Sequence, residues 1–307
     1  MSKIVANKVL FIKLGEKGVW EDECITQGIL KLGFREADFT KCITGDWAGV
    51  GQDYIAVGKD KSTASRWTGE IRYFFEEPKE TLWITFHKMK LWWAFADTAI
   101  TLMPDGTKTR KVIGSWSDKD VNGKLLTFDN LSGKLTKTQG YRGTICEVGA
   151  ADYLLHKLNA EYPPYIIQAN NSYNSLKASI EELIKELGYK DFEILVDMIF
   201  RAAGWQRMGV VGKTEKDLDL DLVSPVTHER AFVQIKSQSD FAGFQDYLGK
   251  YKGMEQFHKF FFVVHTTTDK KLLNAPSTPD INIWNVAHIS KMVVDAGLSE
   301  WVIKKAF

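Results

Sequence analysis

The sequence predicts a mixed α/β (α+β) fold in two domains, a mostly-β, barrel-like domain followed by an α/β domain. The chain has 307 residues, which is enough for two domains. Seven of its ten tryptophans precede Cys146, among short aromatic and β-branched runs separated by turn residues. After Cys146 apolar residues recur every three or four positions, as in helices, and several strand-like runs follow.

This change in the pattern of apolar residues sets the expected domain boundaries. Residues 1–148 form the β-rich domain, residues 149–172 a helix and linker, and residues 173–307 the second domain. The linker is placed at PPYIIQANNSYN, where two prolines precede a polar cluster.

In the first domain, strand-forming residues are grouped in short runs. We expect strands in EIRYFF, TLWITF, KLWWAFA, TRKVIGSW and YRGTICEV. The segment GVWEDECITQGILKLG fits either a strand or a short helix. The basic runs at 88–90, 108–111 and 134–137 are either phosphate-contacting patches or solvated faces.

In the second domain, segments whose apolar residues have helical spacing alternate with strand-like segments. The expected helices are ADYLLHKLNAE, SLKASIEELIKELG, DFEILVDMIFRAAG, DFAGFQDYLGKYKGM, AHISKMVVDAG and LSEWVIKKAF. The expected strands are WQRMGVVG, LDLDLV, ERAFVQIKS, KFFFVVHT and INIWNV. This order of helices and strands indicates an α/β domain.

The composition excludes several classes of protein. The chain is 44% hydrophobic and 26% charged, as in ordinary globular proteins, and no apolar stretch reaches the length of a membrane span. The net charge of +1 excludes a general polycation, so nucleic-acid contacts must come from a local patch. Only Cys24, Cys42 and Cys146 occur, without CxxC spacing, which favours a reducing cytoplasm and argues against a zinc site. The N-terminus lacks the pattern of a signal peptide.

Residues 217–223, DLDLDLV, place carboxylates at every second position. Because side chains alternate across a strand, Asp217, Asp219 and Asp221 share one face. On the next predicted strand Gln234 and Lys236 share a face, and a hairpin brings the two sets together. The simpler interpretation is a solvent-facing strand with an ion pair. The alternative is a site for a hard divalent cation with a lysine partner, since carboxylate and amide oxygens bind Mg²⁺.

These motifs resemble the PD-(D/E)xK nucleases, and among them the Mrr-like branch of restriction endonucleases. The stretch Gln234-Ile235-Lys236 is similar to that branch's Q-x-K motif, and Asp219 or Asp221 to its preceding aspartate. The pair Phe192-Glu193 resembles the branch's upstream helix motif. The family's usual glycines between the aspartates are missing here, which leaves the principal metal ligand open. Asp219 is preferred, with Asp221 next and Asp217 at the hairpin mouth.

The resemblance implies a restriction-endonuclease-like αβββαβ core and a Mg²⁺-dependent endodeoxyribonuclease, in which Mn²⁺ can substitute. Asp219, Asp221 and Gln234 would hold the metal. Lys236 would position the attacking water, and Glu193 would support the metal or the lysine. Glu193 fits a plain surface-helix residue equally well.

The first domain resembles, in architecture and texture only, the PUA-like readers that include EVE, YTH and SRA domains. Such domains imply recognition of a modified base in DNA, held between aromatic rings. Trp20 and Trp47 lie in Gly- and Asp-rich surroundings, and Asp46 is placed to bond a base edge. For each tryptophan, packing in the core is the competing interpretation.

The combined expectation is a modification-dependent (type IV-like) restriction or phage-defence enzyme. It would act in the cytoplasm on double-stranded DNA as a homodimer, and it would not bind a membrane. Two alternatives stay open. One is a nuclease gated by a nucleotide or protein sensor domain, and the other is a non-catalytic DNA-binding protein on a nuclease fold.

Overall fold

A computed structural model describes residues 3–208 and 219–306. The protein is a mixed α/β structure with two β-sheets, one of them curled into a half-barrel. The chain divides into two compact units, Met1–Pro163 and Pro164–Phe307. The mixed α/β class expected from the sequence is confirmed.

The first unit is built on a six-stranded sheet. Along the chain its strands are β1 (Lys8–Ile12), β2 (Ile29–Leu32), β3 (Thr81–His87), β4 (Lys90–Leu102), β5 (Lys108–Ser117) and β6 (Ile145–Glu147). Across the sheet the order is β2-β5-β4-β3-β1-β6. β1 pairs with β3 in parallel, and the other neighbouring strands pair antiparallel. The runs TLWITF, KLWWAFA and TRKVIGSW lie in β3, β4 and β5, as expected.

Helices occupy much of the first unit, so the mostly-β description is too narrow. They are α1 (Glu21–Gln27), α2 (Phe39–Thr44), α3 (Trp47–Ala56), α4 (Lys61–Glu76), α5 (Gly133–Thr136) and α6 (Ala151–Leu158). The expected strand EIRYFF is wrong, because these residues lie in α4, where Ile71 and Phe74 are buried three positions apart. The ambiguous segment after Gly18 resolves into α1, a left-handed Gly28 (φ 65°) and β2.

Two cations on β5 are buried in the core of the first unit. Lys108 is fully buried, and its ammonium donates to the backbone carbonyls of Phe34 and Ala37. Arg110 is 1% exposed. Its guanidinium donates to four backbone carbonyls, those of Phe74, Glu77, Ala96 and Asp97, at 2.6–3.4 Å. Burial lowers the pKa of Arg110 to about 10. These two residues of the basic run at 108–111 therefore hold the fold together and do not face a solvent phosphate.

We predict that Arg110→Met lowers the free energy of unfolding by about 2–5 kcal/mol, because several buried carbonyls lose their donor. Denaturant unfolding followed by circular dichroism measures it. The control is Lys111→Met on the exposed side of the same strand, which should change stability by no more than about 0.5 kcal/mol. Equal losses in both variants would contradict a specific role for the buried guanidinium.

The second unit contains a five-stranded sheet. Its strands are β7 (Gln206–Arg207), β8 (Leu220–Val223), β9 (Arg230–Gln238), β10 (Lys259–Thr266) and β11 (Ile281–Trp284). They lie in the order β11-β10-β9-β8-β7. β9, β10 and β11 run parallel, whereas β8 pairs antiparallel with β9 and β7 antiparallel with β8. The expected hairpin is thus present between ERAFVQIKS and the described part of LDLDLV, where Leu220–Val223 pairs with β9.

The helices of the second unit are α7 (Pro164–Glu186), α8 (Tyr189–Ala202), α9 (Phe241–Lys252), α10 (Lys270–Leu273), α11 (Val286–Asp295) and α12 (Ser299–Lys305). The expected linker PPYIIQANNSYN is wrong over most of its length, because α7 begins at Pro164. Proline is tolerated at the first position of a helix, because the backbone N–H that it lacks would have no helical acceptor there. Among residues 3–208 and 219–306, no helix has the length and apolar character needed to cross a membrane.

Strand β9 separates two hydrophobic clusters. Phe232 packs with Phe260 and Phe257 in the cluster that also includes Phe244 of α9. Val233 and Ile235 point to the opposite cluster, with residues of α8 and α11. Because side chains alternate along a strand, Gln234 and Lys236 lie on the same side of the sheet as Phe232.

Candidate active site

The β8–β9 hairpin brings Asp219 beside Gln234. The register pairs Leu220 with Val233, and Asp219 comes directly before β8. Its Oδ2 accepts a hydrogen bond from the backbone N–H of Ile235 at 2.7 Å and another from Nε2 of Gln234. The carboxylate is therefore fixed to the strand that carries the Q-x-K motif.

Gln234 and Asp219 each keep an oxygen that is not hydrogen-bonded within the described part of the chain. Gln234 is only 2% exposed, and its Oε1 is buried without a donor among those residues. The hydrogen bonds that Asp219 accepts from Gln234 and Ile235 both go to Oδ2, so Oδ1 accepts neither of them. A buried oxygen without a donor costs about 1–3 kcal/mol. A cation or an ordered water at this position would remove that cost.

Lys236 and Glu193 lie within the electrostatic range of Asp219. The ammonium of Lys236 is 4.9 Å from the ring centroid of Tyr247 on α9. Burial raises the pKa of Asp219, while the Ile235 N–H, Lys236 and Gln234 partly offset the rise. Burial also raises the pKa of Glu193, the charge of Asp219 adds to it, and Lys236 opposes it. The charges of Asp219 and Lys236 thus act in opposite directions on the pKa of Glu193.

The other two aspartates of DLDLDLV are placed differently. Asp221 pairs with Arg230, which binds it through Nε at 2.9 Å and through a second nitrogen. Asp221 is opposite Phe232 in the β8–β9 register, away from Lys236 along the strand. Both of its oxygens are used by the guanidinium, so it does not join Asp219 and Gln234. Asp217 lies outside the described residues.

Within residues 3–208 and 219–306, no group of three His, Cys, Asp or Glu side chains is arranged to hold a metal ion. Mg²⁺ does not require one, since it usually binds one or two carboxylates and completes its shell with water and substrate phosphate. The Asp219 carboxylate and Oε1 of Gln234, which has no donor among the described residues, are oxygens of this kind. The residues present fit a magnesium ion on these two side chains.

Two further polar atoms are buried without a partner on the opposite face of the sheet. They are Oγ of Ser237 and Nε2 of His265, unpaired among the described residues. The β9–β10 register brings these residues to neighbouring positions. His265 packs edge-on against Phe192, with ring centroids 4.5 Å apart, and burial lowers its pKa. The histidine is therefore neutral at physiological pH and belongs to the packing behind the site.

In the first unit Trp20 lines a cavity of about 670 Å³, called here the Trp20 cavity. Its walls are the 13–20 segment, the turn at 33–35 and the loop at 142–144. The cavity was not predicted, because its walls come from three segments far apart in sequence. The signal that could have indicated it is the glycine in each wall: Gly15, Gly33 and Gly143.

The structure does not bring Asp46 and Trp47 to this cavity. Asp46 caps α3, where its carboxylate accepts from the backbone N–H of Gly49 at 2.8 Å. The indole N–H of Trp47 donates to Glu76 at 2.6 Å, and its ring packs edge-on against Phe75. Of the three residues expected to hold a base, Trp20 alone lines the cavity.

No protein-family model, curated protein or solved structure matches this chain in the comparisons made. The likeness to the PD-(D/E)xK nucleases therefore rests on the residues and the order of elements in this chain alone.

We predict that Asp219→Asn keeps or raises stability at about pH 8. A carboxyl whose pKa is raised by folding contributes stability at low pH and loses it as the pH rises, so the charged form destabilises the fold above its pKa. The gain should shrink toward about pH 3, where an ordinary aspartate is mostly protonated. Thermal unfolding at both pH values measures it.

Asp221→Asn is the matched control, since it weakens the pair with Arg230. It should lower stability at about pH 8 by about 1.5–3 kcal/mol, as expected for a hydrogen bond between charged groups. If Asp219→Asn destabilises the protein at this pH as much as Asp221→Asn does, the assignment of Asp219 as a strained, functional carboxyl is wrong.

Proposed function

We propose that the second unit is a Mg²⁺-dependent endodeoxyribonuclease of the PD-(D/E)xK type. The observation that carries the proposal is the hydrogen-bonded pair of Asp219 and Gln234, with Lys236 two residues further along the same strand. The order of the described elements supports it, because α8, β7, β8, β9, α9 and β10 follow one another in the αβββαβ order of that core.

Each side chain has a chemical role in phosphodiester hydrolysis under this proposal. Asp219 and the amide oxygen of Gln234 hold the ion, which when bound polarises a phosphoryl oxygen and acidifies a water. The ammonium of Lys236 orients the attacking water or offsets the charge that develops on the phosphate. Glu193, whose pKa is raised, accepts a hydrogen bond from water beside Asp219.

We further propose that the first unit recognises the DNA and that the whole chain serves restriction or phage defence in the cytoplasm. Support for recognition comes from the Trp20 cavity, which is large enough for one nucleotide. A modified base drawn out of the duplex is the ligand that the PUA-like resemblance suggests. Two chains acting as a homodimer would cut both strands, since each chain carries one Asp219–Lys236 site.

We predict that Lys236→Ala reduces Mg²⁺-dependent cleavage of DNA by a factor of about 100 or more, because charge stabilisation near the phosphate is lost. Cleavage is measured on plasmids that are unmodified or carry 5-methylcytosine, hydroxymethylcytosine, glucosylated cytosine or 6-methyladenine. Lys252→Ala, an exposed lysine at the end of α9, is the control and should cleave like the wild type.

The outcomes separate the competing functions. If the wild type binds every plasmid and cleaves none with Mg²⁺ or Mn²⁺, a non-catalytic DNA-binding protein replaces the nuclease. Equal cleavage of plain and modified DNA supports the nuclease activity and excludes recognition of a modified base. Cleavage that starts only after a nucleotide is added favours a gated nuclease.

A further inference from the structure

The residues that line the Trp20 cavity carry mostly positive charge. Lys13, Lys17, Arg35 and Arg142 line it, against a single carboxylate, Glu16. The whole chain has a net charge of only +1, so the positive potential here is local. A ligand that fits this cavity is an anion, since a neutral methylated base alone would not balance the excess of positive charge.

The cations are partly held by the protein itself. Lys13 donates to the backbone carbonyl of Tyr141 at 2.7 Å, which ties it to the 142–144 loop. Arg35 forms an exposed pair with Asp105 at 3.4 Å. Such an exposed pair is weak, so a phosphate can compete for the guanidinium. Lys17 and Arg142 are exposed at the cavity edge.

An aromatic surface lies beside the cations. Trp20 and Phe34 both line the cavity. The ammonium of Lys31 and the guanidinium of Arg35 lie 5.0 and 5.7 Å from the Trp20 ring. A Cβ on Gly33 would lie 3.0 Å from the indole, so any larger residue would shift this ring by a few tenths of an ångström. Aromatic rings with adjacent cations suit a flat heterocycle that carries phosphate.

Buried charges fix two walls of the cavity. Glu70 is 3% exposed and accepts hydrogen bonds from the hydroxyl of Tyr141 at 2.9 Å and the backbone N–H of Thr144 at 2.8 Å. Lys108 holds the carbonyls of Phe34 and Ala37 on the other side. The cavity is therefore preorganised, and its shape does not depend on a ligand to form.

We infer that the Trp20 cavity binds a nucleotide through its phosphate. The cations of Lys13, Lys17, Arg35 and Arg142 hold the phosphate, and the base lies along Trp20 and Phe34. The nucleotide is either part of DNA or free in solution, and both carry this chemistry. The inference deepens the recognition half of the proposed function and rests on it, but it does not require hydrolysis at Lys236.

The test uses the full chain carrying Lys236→Ala, without divalent metal, so that binding is measured whether or not the protein is a nuclease. Calorimetry compares deoxynucleoside mono- and triphosphates, a deoxynucleoside without phosphate, inorganic phosphate and a short duplex. The cavity variant is Lys17→Ala with Arg142→Ala. The control, Lys61→Ala with Lys79→Ala, removes the same charge from exposed positions that do not line the cavity and lie outside the basic runs.

We expect the cavity variant to bind nucleotide or duplex at least tenfold more weakly, and the control to bind as the parent does. Loss of duplex binding alone identifies a nucleotide within DNA, and loss of free-nucleotide binding alone identifies a soluble effector. The inference is overturned if the deoxynucleoside binds as tightly as the nucleotide, if both variants weaken binding equally, or if no phosphate-bearing probe binds. Because Lys17 and Arg142 are exposed, thermal unfolding should be unchanged.

Discussion

A charged side chain that is withdrawn from water must find its hydrogen bonds inside the protein. In this chain the partners are largely backbone groups of the segments that form the two candidate sites. Asp219 accepts from the N–H of Ile235, and Glu70 from that of Thr144. Lys108 donates to the carbonyl of Phe34. In each case it is costly to remove the charge from water. The hydrogen bonds that offset this cost hold a loop or strand in one position.

The dependence on backbone partners explains why side-chain geometry and main-chain geometry are coupled at the hairpin. Asp219 precedes β8, yet its carboxylate is bound to β9 at Gln234 and Ile235. A shift of one residue in register would turn every side chain of β8 to the other face. The buried Leu220 and Leu222 oppose such a shift, and so the hydrophobic core keeps the carboxylate in place.

The alternation of DLDLDLV and AFVQIKS was enough to predict two paired strands with polar residues on shared faces. It was not enough to distinguish Asp219 from Asp221, because both side chains lie on the same face of the strand. The difference between them comes from Arg230, near the start of β9, which binds Asp221. Aromatic residues misled the prediction for EIRYFF, since they also pack on the buried face of a helix such as α4. The Trp20 cavity depends on long-range packing, which no local pattern contains.

The contact between Gly143 and Glu70 has a consequence for how the first unit can diverge. A Cβ at position 143 would overlap the Glu70 carboxylate and the Tyr141 ring, so this position admits no larger side chain without rebuilding the loop. Its neighbour Arg142 projects outward and carries no such constraint. Natural variants can therefore exchange the chemical group offered to a ligand while the supporting framework stays the same. Position 142 can thereby set which ligand is preferred, while position 143 is held to glycine.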